Sequence, residues 1–492
     1  MSVPSTLTIP LSTQPSRHVR GLLAMISAVT CVEFLETGMV TFAAASIMGG
    51  LGLGAEAFAF AFTLYGVAAI FMLYKHQWMV ERLGYRNFIL GSLALFALGA
   101  VLCATADGLA QFATGRALQG AGGATFFTAG RMQMNRLPEA ARFSGLLVFV
   151  GTLLGAVALS PLAAAGLIHL AGWRALFWAV LPLCALVAFV AAPRLSRQTT
   201  PAGARSEEHW GWLLGLAVAL FALQYALQAA QFALFEAPGR VFAAGAASVA
   251  ALTVFAVRQW KRERPLINYR GLFEPRYMAG LLFYFCGYFL MGLSGFLLPI
   301  LFLHGLQLDM LHGAAILSGS LACSLIGALS HATLARQHAR PRVFMLTGLA
   351  LVALSCLGFG RWAGAGDWHL LLAPSLLVGL SIPFFVGPVA MGTFVHIAPA
   401  VFSHAYQVKN IIRQLGLSLA VTAGTLLLQW RYARHLDPQH PGLDWAARLL
   451  HGQPGLPAHA EALALASGDV FNLCAAGVLI LMGVVAVQRV FR

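Results

Sequence analysis

Acidic side chains are scarce in this chain: Asp and Glu together number 17 in 492 residues, and charged residues of all kinds make up only 10%. A soluble globular chain carries roughly 25%, so this composition excludes a soluble enzyme, a nucleic-acid-binding protein and a disordered scaffold. Cysteine is sparse as well. The seven cysteines stand singly inside apolar runs, with no CxxC and no metal-ligand spacing, so they read as small core hydrophobes and no metal site is expected. The first sixteen residues are rich in Ser, Thr and Pro and lack an apolar core, so no cleavable signal peptide is expected. Alternation of period two over ten-residue segments, the mark of a membrane barrel, is missing. So is any intramembrane Ser/His or His/Asp constellation or HExxH motif; no catalytic residue is nominated and an enzyme is not expected.

What the chain has in abundance is apolar length: 59% of residues are hydrophobic and the mean hydropathy is +0.78. A membrane-spanning helix needs about 20 mostly apolar residues. That window predicts fourteen spans, near 21–47, 55–74, 87–106, 109–130, 143–169, 175–192 and 210–230, then 241–257, 278–303, 311–333, 343–360, 368–391, 404–428 and 470–488. The expected fold is an all-α polytopic membrane protein. With the N-terminus inside and the loops alternating, 22 of the 31 Lys and Arg residues fall in inner segments. Six fall outside (Arg174, Arg240, Arg361, Arg431, Arg434, Arg448), and Arg116, Lys409 and Arg413 lie within spans. This bias places both termini in the cytoplasm. It also explains the net charge of +14 as membrane orientation rather than a nucleic-acid footprint. Dropping the seventh and eighth spans together would leave twelve with the same orientation; fourteen is preferred because 210–231 is too long and apolar for a cytoplasmic loop.

The expected organisation is a cytoplasmic tail (1–20), a six-helix block (21–192), a basic linker carrying two inserted helices (193–276) and a second six-helix block (277–492). A long outer loop is expected at about 431–468, with Pro438, Pro441, Pro454 and Pro457 and a short amphipathic helix at Asp444–Leu450.

Of the acids, only Glu33 and Glu36 lie well inside a span, three residues apart and therefore on one helical face. An intramembrane carboxyl costs at least about 2.5 kcal/mol to insert. Desolvation makes a carboxyl hold its proton and a nearby cation opposes this, so a change of surroundings between two conformations can load and unload a proton. Arg116 is the obvious partner; a purely structural ion pair is the alternative. It sits in Gly115-Arg116-Ala117-Leu118-Gln119-Gly120-Ala121-Gly122-Gly123, where Gly120, Gly122 and Gly123 let another helix approach closely.

That run resembles the fourth-helix motif of the major facilitator superfamily, whose arginine is implicated in proton transfer. The stretch Gln77-Trp78-Met79-Val80-Glu81-Arg82-Leu83-Gly84-Tyr85-Arg86 is similar to the superfamily's cytoplasmic signature G-x-L-a-D-R-x-G-R, with Glu81 for Asp and Gln77 for the first Gly. The resemblance implies that Glu81, Arg82, Gly84 and Arg86 gate the cytoplasmic side through charge pairs between helix ends. The segment from Leu35 to Ile47 is similar to L-D-x-T-I-V-N-V-A-L-P-x-I of the fourteen-helix drug:proton antiporter branch, the EmrB/QacA-like exporters, with Glu36 in place of the coupling Asp. The fifth helix keeps Gly151, Gly155 and Pro161 of that branch's G-x-x-x-G-P-x-x-G-G, which implies close packing there. Trp173-Arg174-Ala175-Leu176-Phe177 resembles its W-R-W-I-F, and the second half carries Pro265-Leu266-Ile267 and Asn410-Ile411-Ile412-Arg413-Gln414-Leu415-Gly416.

The resemblance implies two six-helix bundles plus two inserted helices in a bacterial-type inner membrane. It implies efflux of lipophilic or amphiphilic small molecules in exchange for protons, with the gradient and no cofactor as the drive. Glu36 would carry the proton, with Glu33 and Arg116 tuning it. A periplasmic adaptor and an outer-membrane channel are the partners it implies, beside small-molecule substrates and the bilayer. Lys409 and Arg413, four residues apart, admit three readings: snorkelling to the interface, facing Glu33, or capturing an anionic substrate group. The last supports an alternative, a proton-linked transporter of one anionic metabolite. A receptor or scaffold without transport is the remaining class.

Overall fold

Apolar runs of this length leave water only as helices, because hydrocarbon offers no partner to a free backbone amide. The computed structural model describes residues 17–234, 236–338, 340–436 and 457–491. Most of the cytoplasmic tail, Pro438, Pro441, Pro454, Arg448 and the expected Asp444–Leu450 helix lie outside these residues. Among the described residues the regular structure is entirely helical. The first block holds α1 (Arg17–Phe42), α2 (Ala44–Leu51), α3 (Ala55–Ala104), α4 (Leu109–Gln133), α5 (Glu139–Ala171) and α6 (Ala175–Ala191). The inserted pair is α7 (Trp210–Ala233) and α8 (Pro238–Lys261). The second block holds α9 (Pro275–Pro299), α10 (Met310–Gln337), α11 (Pro341–Trp362), α12 (Leu372–Gly392), α13 (Phe402–Leu436) and α14 (Pro457–Val487).

Among the described residues, eleven helices are long and apolar enough to cross a membrane. One of them, α3, has 50 residues. At about 1.5 Å per residue it would span more than twice the hydrocarbon thickness of about 30 Å. It breaks at Gly84, whose φ of 71° is left-handed. The packing of α4 shows that the chain turns back there. Along α4, Arg116 lies over Phe62 and Gly120 against Tyr65, in parallel order, while Gly115 meets Gly99 and Gly122 meets Ser92, in antiparallel order. The two arms of α3 therefore run in opposite directions and cross separately. Adding α4 and the 17-residue α6 completes fourteen crossings. The polar α4 is a core helix, with sixteen of its 25 residues buried, so its Arg, Gln, Thr and Gly side meets protein rather than lipid.

The two blocks meet along α5 and α10, where the Leu162 amide donates to Ser318 Oγ (3.2 Å) and Arg336 lies over the Phe143 ring (4.1 Å). They meet again where α13 crosses α3 and α4. The inserted α7 contacts both α3 and α13. Its Gln224, Gln228 and Gln231 form one stripe: Gln228 bonds Thr63 (3.5 Å) and the Glu56 carbonyl (3.3 Å), and Gln231 bonds Thr422 and Thr425 (both 3.4 Å). The seventh span is thus a polar strut between the blocks.

The expected outer loop at 431–468 is shortened at both ends. Helix α13 runs on to Leu436 and α14 begins at Pro457. Polar side chains past the apolar window remain helical because they pair with one another: Asp469 accepts from Arg431 (2.6 Å) and His435 (2.7 Å), and Tyr432 bonds His459 (2.8 Å).

Candidate functional site

A charged side chain inside a bundle must find a countercharge, and the small residues of α4 decide which. Gly120 and Gly122 lie so close to the Tyr65 and Ser92 carbonyls that an added Cβ would overlap them, and a Cβ on Gly123 would come within 2.8 Å of Phe96. This brings α4 against both arms of α3 and aims Arg116 at α1. Its Nη1 donates to Glu36 Oε1 and to Gln119 Oε1, both at 2.7 Å. Glu36 is 1% exposed and Arg116 fully buried, with the Tyr65 ring 4.5 Å from the guanidinium carbon. The pair lies wholly within the first block.

One turn earlier on the same face, Glu33 makes a different kind of pair. Its Oε1 accepts from Arg413 Nη2 at 2.9 Å, so this bridge joins α1 of the first block to α13 of the second. Both side chains are buried, as is Lys409. Of the three sequence readings of the basic pair, snorkelling is therefore not what the fold adopts. Nearby, Asn410 Nδ2 donates to Thr128 Oγ1 (2.6 Å), again across the blocks.

Gly151 and Gly155 depart from the expected close packing: a Cβ on either meets nothing within 4 Å. The tight crossing of α1 and α5 is made instead by Gly38 against Ser160, beside the buried Pro161. The small residue needed at this crossing sits on α1, so the glycines retained on α5 are not required. Gly120→Ala is expected to destabilise the protein by about 1–3 kcal/mol, because a methyl would strike a backbone carbonyl that cannot rotate away. Gly155→Ala is expected to stay within about 0.5 kcal/mol of wild type. Thermal unfolding in detergent separates the two.

The cytoplasmic signature also departs from expectation. Rather than pairing charges between helix ends, it holds the linker that follows α6. Glu81 Oε2 accepts from both the Ser206 amide and hydroxyl (2.7 Å each), and Arg82 Nη2 donates to the Ser206 carbonyl (2.8 Å). The Arg86 amide donates to the Ser196 carbonyl (2.9 Å). Gly84 has a positive φ, and a Cβ there would lie 2.8 Å from the Arg197 backbone, so a glycine is required for both reasons. The linker in turn reaches α8 through Glu208, which accepts from Arg258 at 3.0 Å. The cross-block tie runs through Gln77, which stands where the resembled motif has glycine: Ser403 Oγ donates to Gln77 Oε1 (2.8 Å). Gln407 Nε2 adds a bond to the Leu73 carbonyl (3.0 Å).

Several participants had no role assigned by the sequence: Gln119, Tyr65, Thr128, Asn410, Gln77 and Ser206. Gln119 carried a signal, lying three residues from an intramembrane arginine on the same face. The others are legible only through contacts distant in the chain. Among the described residues no group of His, Cys, Asp and Glu could hold a metal ion.

Twelve crossings in two blocks, with an inserted pair between them in sequence and a buried charge pair joining the blocks, define the class: a multi-pass helical membrane transporter. The particular family follows. The Major Facilitator Superfamily profile matches residues 26–421, and the chain belongs to that superfamily. It is 25% identical over 435 residues to MdtD of Salmonella paratyphi B, provisionally named a multidrug resistance protein, covering 87% of this chain and 90% of that one. MdtD of Salmonella typhimurium matches with the same identity and coverage. Among solved structures, an auto-inhibited peptide transporter of the POT family superposes with a TM-score of 0.63 at 14% identity, covering 95% of this chain and 97% of that one. The POT family transporter PepTSo gives 0.58, also at 14% identity, over 95% and 99% of the two chains. These likenesses are to transporters; the protein is not an enzyme.

Proposed function

We propose that the protein exports lipophilic or amphiphilic small molecules from the cytoplasm in exchange for protons, by alternating access between its two blocks. The observation that carries this reading is the pairing of two buried carboxylates one turn apart, one to an arginine of its own block and one to an arginine of the other. Protonating Glu33 removes the charge that holds Arg413, so proton uptake there is coupled to separation of the blocks. Glu36 carries the exchanged proton, and Arg116 returns it by competing for the carboxylate. The Glu81–Arg82–Gly84–Arg86 turn gates the inner side by holding or releasing the linker, with Gln77 as the tie to α13.

This reading places the protein in a bacterial-type inner membrane with both termini in the cytoplasm. The proton gradient is its drive and no cofactor takes part. A periplasmic adaptor and an outer-membrane channel belong to the same reading through the family resemblance. The alternative of one anionic metabolite as substrate is favoured by a single observation, the buried Lys409.

The test is a substrate panel in reconstituted vesicles with and without an imposed pH gradient. For one-for-one exchange of a neutral substrate, one pH unit sustains at most about tenfold accumulation. Accumulation that persists after the gradient is collapsed by an ionophore rules out proton exchange.

A further inference from the structure

Lys409 is the odd member of the buried set. It is 2% exposed, and among the described residues no carboxylate lies within ion-pairing distance of its ammonium. Among the described residues its one hydrogen bond is to Asn410 Oδ1, at 3.3 Å. Around it stand four rings, with centroids at 4.3 Å (Phe127), 5.0 Å (Tyr284), 5.1 Å (Tyr288) and 5.4 Å (Tyr406). Phe127 belongs to α4 of the first block and the three tyrosines to α9 and α13 of the second, so the box is built across the interface that alternating access must open.

The charges nearby do not balance. Arg413, one turn further along α13, is taken by Glu33. Arg131 lies over the Phe402 and Tyr406 rings at 5.2 and 5.4 Å. Three basic side chains thus face a single carboxylate. Ring faces stabilise a cation through their quadrupole but leave its charge in place, and a buried unpaired charge is strongly unfavourable. A ligand that brings a negative group to Nζ supplies what the fold withholds. A cationic ligand would have to share the same rings with the ammonium and would be repelled.

Resting on the export reading, we infer that Lys409 and its aromatic box form the substrate site for the anionic head of the transported amphiphile. The favoured substrates carry a carboxylate on an aromatic or apolar body. The carboxylate accepts from the Lys409 ammonium, and the body packs against Phe127, Tyr284 and Tyr288 when the blocks part. Arg413 is not the anion site, because Glu33 occupies it.

The test is equilibrium binding of 2-naphthoate and its neutral counterpart 2-naphthamide to the purified full-length protein in detergent. Naphthoate is expected to bind wild type more tightly than naphthamide. Lys409→Gln is expected to weaken naphthoate by about ten- to hundredfold, the loss of a charge-assisted contact, to leave naphthamide within about twofold, and Lys409→Arg to restore the preference. Equal binding of the two probes to wild type, or equal weakening of both by Lys409→Gln, overturns the assignment. A measurement on wild type alone guards against a variant that fails to fold. The chain has three lysines, Lys75, Lys261 and Lys409, and 2-naphthoate should protect Lys409 from an amine-reactive acylating reagent while 2-naphthamide does not. Protection by both or by neither also overturns it. The two readings fail separately. Carboxylate-selective binding without gradient-driven flux removes proton exchange and keeps this site; proton-driven flux without carboxylate preference removes only the site.

Discussion

Export by a Glu36→Gln variant is expected to fall to the rate of protein-free vesicles, with the protein still folded and inserted. Glutamine keeps the length of the side chain and an oxygen to accept from Arg116 Nη1, which lies 2.7 Å from the carboxylate in the wild type. It cannot take or release a proton. The competing account is that Glu36 exists only to neutralise Arg116, which is fully buried. Leaving a buried cation without its countercharge costs about 3–5 kcal/mol, so instability alone could silence the single variant. The double variant Glu36→Gln/Arg116→Met separates the accounts, because it removes the orphaned cation together with the acid. It should recover thermal stability relative to the single variant and remain inactive. Wild-type export by the double variant would reduce Glu36 to a structural partner and end its part in the exchange.

The second large effect concerns the bridge between the blocks. Glu33→Gln is expected to shift the molecule toward the conformation in which the turn of α3 at Gly84 and the C-terminal end of α12 move apart. Loss of a buried pair worth about 3 kcal/mol changes such an equilibrium by roughly 100-fold, enough to turn a minor state into the dominant one. Spin labels at Leu83 and Val395, both exposed and on opposite blocks, read the change as a longer distance in a background with the native cysteines replaced. Arg413→Gln should produce the same lengthening from the other side of the bridge. Two variants whose distance distributions match wild type would show that the pair does not hold the blocks together.

These expectations rest on unequal parts of the chain. Span number, the intramembrane acids and the close-packing glycines of α4 all follow from composition and local spacing. The seventh helix was legible as a span because of its length, while its glutamine stripe acquired meaning only when Gln228 was found against α3 and Gln231 against α13. The fifth helix misled in the opposite way. Its Gly151 and Gly155 match a pattern, yet the close crossing of α1 and α5 is made by Gly38 on α1. A motif records what one helix presents, whereas a crossing depends on the facing helix as well. The cytoplasmic signature is a similar case: its turn glycine was readable locally, but its partner is a linker more than 100 residues away.

Local sequence alone determined that this chain enters a membrane many times, and that Glu33, Glu36 and Arg116 are too costly in hydrocarbon to lack partners. Only the tertiary structure decided the pairing: Glu36 with the arginine of its own block, Glu33 with Arg413 of the other, and Lys409 with rings instead of a carboxylate. The physical reason is range. Hydropathy and helical periodicity act over one or two turns, whereas the partner of a buried charge is chosen by which helices pack together, here between residues 80 and 380 positions apart.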